Sequence, residues 1–160
     1  MTREELIADA ARLKQPSVEA ATAFSEKRDL LAAAVNRAMA KRPDLEKLVG
    51  PTGRLMSEDN NRNFALFMES LWQGYRPEIL VDTALWAFRT YRCHGFAPIY
   101  WPANLDTWRE HLRAELSVSA CTEIDPFYNW LIIHIPFFTA LSDLEPIDTP
   151  LPFSHTLHRI

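Results

Sequence analysis

Tyr91 and His94 stand three residues apart in a segment whose apolar members Leu80, Ala84 and Ala87 fall in the same arc at about 100° per residue. A phenol and an imidazole are therefore both aimed at the interior. An imidazole is the commonest metal ligand and changes charge near neutral pH, whereas a phenol donates or accepts a hydrogen bond. The structural alternatives are a core tyrosine with a bonded hydroxyl and a helix-end histidine that meets the negative end of the helix dipole. Cys93 adjoins His94, but neighbours on a helix project in different directions and do not form a nucleophile–base pair. His134 shares a stripe with Phe127, Trp130, Leu131 and Phe138, which suits a satisfied core histidine. His155 and His158 lie among Pro146, Pro150 and Pro152 without the acids or cysteines that a metal site needs. No Gly-rich phosphate loop, GxSxG elbow, HExxH pair or Glu-x-x-His pair occurs, so the expectation is a protein that is not an enzyme.

The elements that must hold these residues read as helices. Four glycines fall between periodic segments, and neither a hairpin turn nor an alternating β-branched run gives a strand a place to form. Thr2 with Glu5 makes a capping box, Ser17 opens an Ala-rich segment, and Ser57 precedes Glu58 and Asp59. Pro77 and the Asp125-Pro126 pair suit first helical positions. These signals predict helices over 3–14, 17–41, 43–49, 58–74, 77–94, 103–117 and 125–143. The fold class is all-α, a bundle of six to seven helices in one domain over 1–160, with its core in about 17–143 and an extended tail over 144–160.

Periodicity assigns the buried faces. Phe64, Phe67, Met68, Leu71 and Trp72 form one stripe. The last helix is apolar nearly all round, which marks a central helix or one shared with a partner subunit, and Pro136 should bend it. The 58–74 and 77–94 helices are expected to enclose a space against the last one. Five tryptophans (Trp72, Trp86, Trp101, Trp108, Trp130) suit either core packing or the walls of a hydrophobic cavity.

Composition bounds the function. With 17 basic and 21 acidic side chains the formal net charge is −4, and no long basic run offers a footprint for nucleic acid or an anionic membrane. Two cysteines without a CxxC spacing exclude a disulfide framework and leave a reducing cytoplasm as the expected compartment. The longest apolar stretch, Phe127 to Leu141, is too short for a membrane span.

The order of segments from about 40 to 143 resembles the globin superfamily. Arg42-Pro43-Asp44-Leu45 is similar to the Pro-acidic-Leu turn of bacterial globins. The segment holding Asn63, Phe67 and Leu71 looks like the distal helix, and Gly95-Phe96-Ala97-Pro98 looks like the corner after the proximal helix. The resemblance implies a proximal position at Tyr91, with His94 three residues later, and places Val49 where haem globins carry a phenylalanine stacked on the porphyrin. It implies Asn63 as a distal hydrogen-bond donor. Both Tyr91 and Val49 depart from the haem pattern, which matches globin-fold sensors that have lost haem.

The expectation is accordingly a globin-fold ligand-sensing or regulatory domain without an orthodox haem site. Its pocket is bounded by Val49, Asn63, Phe64, Phe67, Ala87, Tyr91 and Trp130, and it takes a small apolar or gaseous ligand. One alternative is a haem globin that binds haem b and O2 or another diatomic gas, with iron on His94 or Tyr91. The other is an all-α interaction module acting through its last helix, and a homodimer using Phe137 and Leu141 is expected.

Overall fold

A computed structural model describes residues 1–144, and the tail with His155 and His158 lies outside the described residues. The chain is all-α: α1 (Arg3–Ala10), α2 (Val18–Ala40), α3 (Leu45–Val49), α4 (Arg54–Leu71), α5 (Pro77–Cys93), α6 (Tyr100–Glu115) and α7 (Val118–Leu144). Local chemistry sets several of these ends. Thr2 Oγ1 accepts from the Glu5 amide while Glu5 Oε2 accepts from the Thr2 amide, closing the expected capping box. Ser17 Oγ accepts from the Ala20 amide at the start of α2, and Pro77 opens α5.

Three starts differ from the sequence expectation. Helix α4 begins at Arg54, so Ser57 is no cap; it is buried inside the helix with its hydroxyl 2.9 Å from that of Tyr100. The turn before α4 depends on Gly53, where a Cβ would overlap the Val49 carbonyl. Helix α6 begins at Tyr100, because Pro102 falls in the first turn, where its missing N–H has no intrahelical acceptor to lose. Helix α7 begins at Val118, where Ser117 Oγ accepts from the Ala120 amide. It continues through Pro126 and Pro136, both on the exposed side, where water can meet the carbonyls that proline leaves unbonded. Asp125 caps nothing; both its oxygens pair with Arg109 and tie α6 to α7.

The apolar last helix is central. It packs on α2, α5 and α6, and Ile124, Phe127, Tyr128, Leu131 and Phe138 are buried. Among the described residues its outer side exposes Val118, Pro126, Ile133 and Pro136, and Ile132, Ile135, Phe137 and Leu141 are half-buried. Helix α2 packs on α4, α6 and α7, while α5 packs on α1 and α7. Helices α4 and α5 are not closely packed on one another, and a cavity lies between them. Among the described residues no helix is long and apolar enough to cross a membrane.

Candidate functional site

The cleft between α4 and α5 holds two adjoining spaces that share part of their lining. The outer one, about 240 Å³, is lined by Asn60, Asn63, Phe64, Leu66, Phe67 and Ser70 of α4 and by Thr83, Trp86, Ala87 and Tyr91 of α5. The inner one, about 60 Å³, shares Asn60, Phe64, Phe67, Thr83 and Ala87 with it and ends on Trp101, Asn104 and Leu105 of α6 and Leu131 of α7. The expected space between the two helices and the last one is thus present. Its position follows from the stripes: Met68, Leu71 and Trp72 turn into the core against α2 and α7, which leaves Phe64 and Phe67 half-buried along the gap.

Aromatic rings stiffen the walls. Phe64 meets Trp108 and Tyr128 edge-on, each at 5.6 Å, and Trp86 meets Tyr91 at 6.4 Å. Phe88 stacks on Trp101 at 4.4 Å behind the inner space. No residue lining either space carries a formal charge, so a ligand ion here would lose its hydration without a counter-ion.

Beneath the cleft floor runs a network of side-chain amides. Asn61 is fully buried; its Oδ1 accepts from Trp108 Nε1 at 2.9 Å and from Asn104 Nδ2 at 2.8 Å, while its Nδ2 donates to Asn36 Oδ1 at 2.8 Å. Asn36 in turn donates to the Glu58 carbonyl. A second knot joins Asn60 Nδ2 and the Ser57 hydroxyl to the Tyr100 hydroxyl. Burial pushes the Tyr100 hydroxyl up to about 12, opposed by the bonds from Ser57 and Asn60.

Of the pocket residues expected from sequence, Asn63, Phe64, Phe67, Ala87 and Tyr91 line the cleft. Val49 and Trp130 do not. Val49 is buried at the end of α3, which packs on α4 away from the gap. The Trp130 ring turns the other way: its Nε1 donates to Asp9 Oδ2 at 2.9 Å, and it stacks on His134 at 4.2 Å. His134 is a bonded core histidine, with Nδ1 2.7 Å from the Trp130 carbonyl and Nε2 2.9 Å from Asp9 Oδ2. His94 does not point inward. Helix α5 ends at Cys93, so the helical arc that carries Tyr91 no longer applies one residue later. His94 is exposed, and its Nδ1 folds back to within 2.8 Å of the Thr90 carbonyl. Cys93 is also exposed.

These positions decide how well the cleft suits haem. Axial ligation needs an imidazole, thiolate, thioether or phenolate. Among the described residues that line the cleft, Tyr91 alone qualifies, and burial, reinforced by Tyr100 and Asp59, holds its hydroxyl well above the usual phenol range. That opposes the phenolate an iron would require. The residues present do not fit an iron porphyrin. Nor do any described His, Cys, Asp and Glu residues group to hold a metal ion.

Asn60, Asn104, Thr83 and Ser70 are cleft residues that the sequence reading does not include, whereas Trp86 is one of the tryptophans it offers as a cavity wall. A signal existed for the two amides: Asn60 stands at helical spacing before Phe64 and Phe67, and Asn104 between Trp101 and Trp108, each a polar residue on an apolar stripe. Comparison with known proteins adds nothing to this geometry, since no family model, no curated protein and no solved structure matches the chain. The resemblance to globins has no support from a relative.

Proposed function

We propose that the chain is a ligand-binding domain, sensing or regulatory rather than catalytic, that takes a small uncharged and largely apolar molecule in the α4–α5 cleft. The observation that carries this is the cleft itself: Phe64, Phe67, Trp86 and Tyr91 hold apolar surface open to water across a gap that α4 and α5 leave between them. Covering such surface is favourable by about 25 cal/mol per Å² removed from water, and the few neutral polar groups on the walls supply orientation. The cleft also lies where the globin-like reading of residues 40–143 puts a ligand, between the helix similar to the distal one and the helix that ends at the Gly95-Phe96 corner. Without a fitting axial ligand, the haem-less form of that reading is the one retained.

The test is a calorimetric or NMR titration with uncharged aromatic probes, alongside Ala87→Trp. Ala87 lines both spaces, so an indole there would occupy the gap. Saturable probe binding by the wild type and its loss in Ala87→Trp are expected. Binding that persists in the variant, or no binding by either protein, would overturn the proposal. Added hemin is expected to give no saturable, stoichiometric absorbance change.

A further inference from the structure

His134 has both ring nitrogens against oxygens. Its Nδ1 stands 2.7 Å from the Trp130 carbonyl one turn earlier on α7, and its Nε2 stands 2.9 Å from Asp9 Oδ2 on α1. Turning the ring over would set carbon atoms against both oxygens and forfeit both contacts. The Trp130 indole, which can only donate, donates to the same Asp9 oxygen at 2.9 Å, so that oxygen serves as an acceptor. Both oxygens are satisfied by His134 only when the ring carries two N–H groups, as imidazolium. A neutral imidazole carries one, and its bare nitrogen would then oppose an oxygen.

The surroundings give this loss weight. His134 is 7% exposed, stacked on the Trp130 ring at 4.2 Å and beside Phe137 at 5.9 Å, so water has little room to replace a lost bond. Asp9 is the charged partner that His134 meets, and Arg12 stands 3.8 Å from the other oxygen of Asp9. Charges on the other helices beside α7 are engaged elsewhere. On α5, Asp82 pairs with Arg3, Glu78 with Arg76 and Arg92 with Asp143, and Arg89 is engaged as well. On α6, Arg109 pairs with Asp125, and on α2, Lys27 pairs with Glu115 and Arg28 with Glu69. Helix α1 itself lies against α5, and Asp9 carries its contact across to α7.

We propose that His134 is a proton-operated latch for α1: as imidazolium it binds Asp9 and fastens α1 to α7, and loss of a proton releases that contact. The latch is closed at the acidic end of the range between about pH 5 and pH 8 in which imidazole changes charge, and it opens as pH rises through it. Arg3 on Asp82 and the Tyr75 hydroxyl on the Ala10 carbonyl keep their charge states across this range, so α1 loosens without leaving. None of this depends on what the cleft binds.

The experiment reads the full chain by NMR at about pH 5.5 and about pH 8. Nitrogen-15 shifts of the His134 ring are expected to show two protonated nitrogens at the lower pH and one at the higher. Hydrogen-exchange protection of the Leu6 to Ala10 amides, corrected for intrinsic rates, is expected to fall about tenfold over the same interval in the wild type and less than about twofold in His134→Gln. The other histidines and the α-amino group are unchanged in that variant, so a response that they cause would survive there. A single protonated nitrogen at the lower pH, a ring that keeps both protons at the higher, wild-type protection that does not fall, or a fall that survives in His134→Gln would overturn the proposal. Should His134→Gln not fold, Asp9→Asn gives the second reading, because it keeps an acceptor on a partly exposed residue and removes the charge. Protection in Asp9→Asn is then expected to fall less than about threefold, and a fall as large as that of the wild type would overturn the proposal.

Discussion

Asn61→Ala is the perturbation that most directly tests the amide network beneath the cleft. Asn61 is fully buried, and its side chain makes three hydrogen bonds, to Asn36, Asn104 and Trp108. Truncation strands Trp108 Nε1, which is fully buried, and Asn104 Nδ2, on a residue that is 2% exposed; neither can turn to water. At about 1–3 kcal/mol for each stranded buried group, the expected loss is about 4 kcal/mol, with the part-buried Asn36 end adding little because it can be hydrated. Urea denaturation reads this directly: at a slope of about 2 kcal/mol/M, the midpoint falls by about 2 M. The contrasting substitution is Asn104→Leu. It forfeits one bond but also removes an acceptor that is buried without a partner, so its cost is below about 1 kcal/mol. A loss under about 1 kcal/mol for Asn61→Ala, or an equal loss for the two variants, would refute the assigned orientation of the amides.

Three further outcomes follow from other parts of the molecule. Gly53→Ala places a Cβ against the Val49 carbonyl and is expected to cost about 2 kcal/mol, seen as a fall in Tm of about 4–8 °C; an unchanged Tm would mean that the α3–α4 turn relaxes freely. Glu123 accepts from the amide and hydroxyl of Ser17, and these bonds hold its carboxyl below the usual range. A lowered folded pKa gives stability that is present above the unfolded value and lost as pH falls through the folded one. Wild type should therefore exceed Glu123→Gln in stability near neutrality and converge with it only below about pH 4, where glutamate takes up its proton; a gap that is constant across this range would count against it. The homodimer expected from sequence uses Phe137 and Leu141, which are half-buried on α7, so light scattering should give twice the chain mass, reduced to a monomer by Phe137→Glu. A monomeric wild type at micromolar concentration would remove the dimer.

Helix existence was legible because capping residues and apolar periodicity are local properties: Thr2 with Glu5, Ser17 and Pro77 act within one turn of themselves. Helix starts were misplaced where a residue type had two uses. Ser57 has a cap's chemistry but serves Tyr100, and Pro126 suits a first turn but is tolerated on the solvent side of a helix already begun at Val118. The same limit governs the site. A helical wheel says that Phe64, Phe67, Ala87 and Tyr91 face inward, but it does not say whether inward neighbours meet or border a gap, because that depends on how far apart two helices are held. Trp130 faces inward and is spent on Asp9 and His134, whereas Trp86, which the stripe of α5 does not include, lines the cleft. His94 fails for a further reason, since the wheel ends with the helix. The polar residues on the apolar stripes were the readable exception. Asn60, Asn61 and Asn104 occupy positions where an unsatisfied amide costs more than an aliphatic side chain, so each demands either a partner or a vacancy beside it. Two of them have partners, and the orientation that Trp108 imposes on Asn61 is what leaves the third with a buried, unpaired oxygen. Sequence supplies the three amides but not that orientation, which exists only once α2, α4 and α6 are packed together.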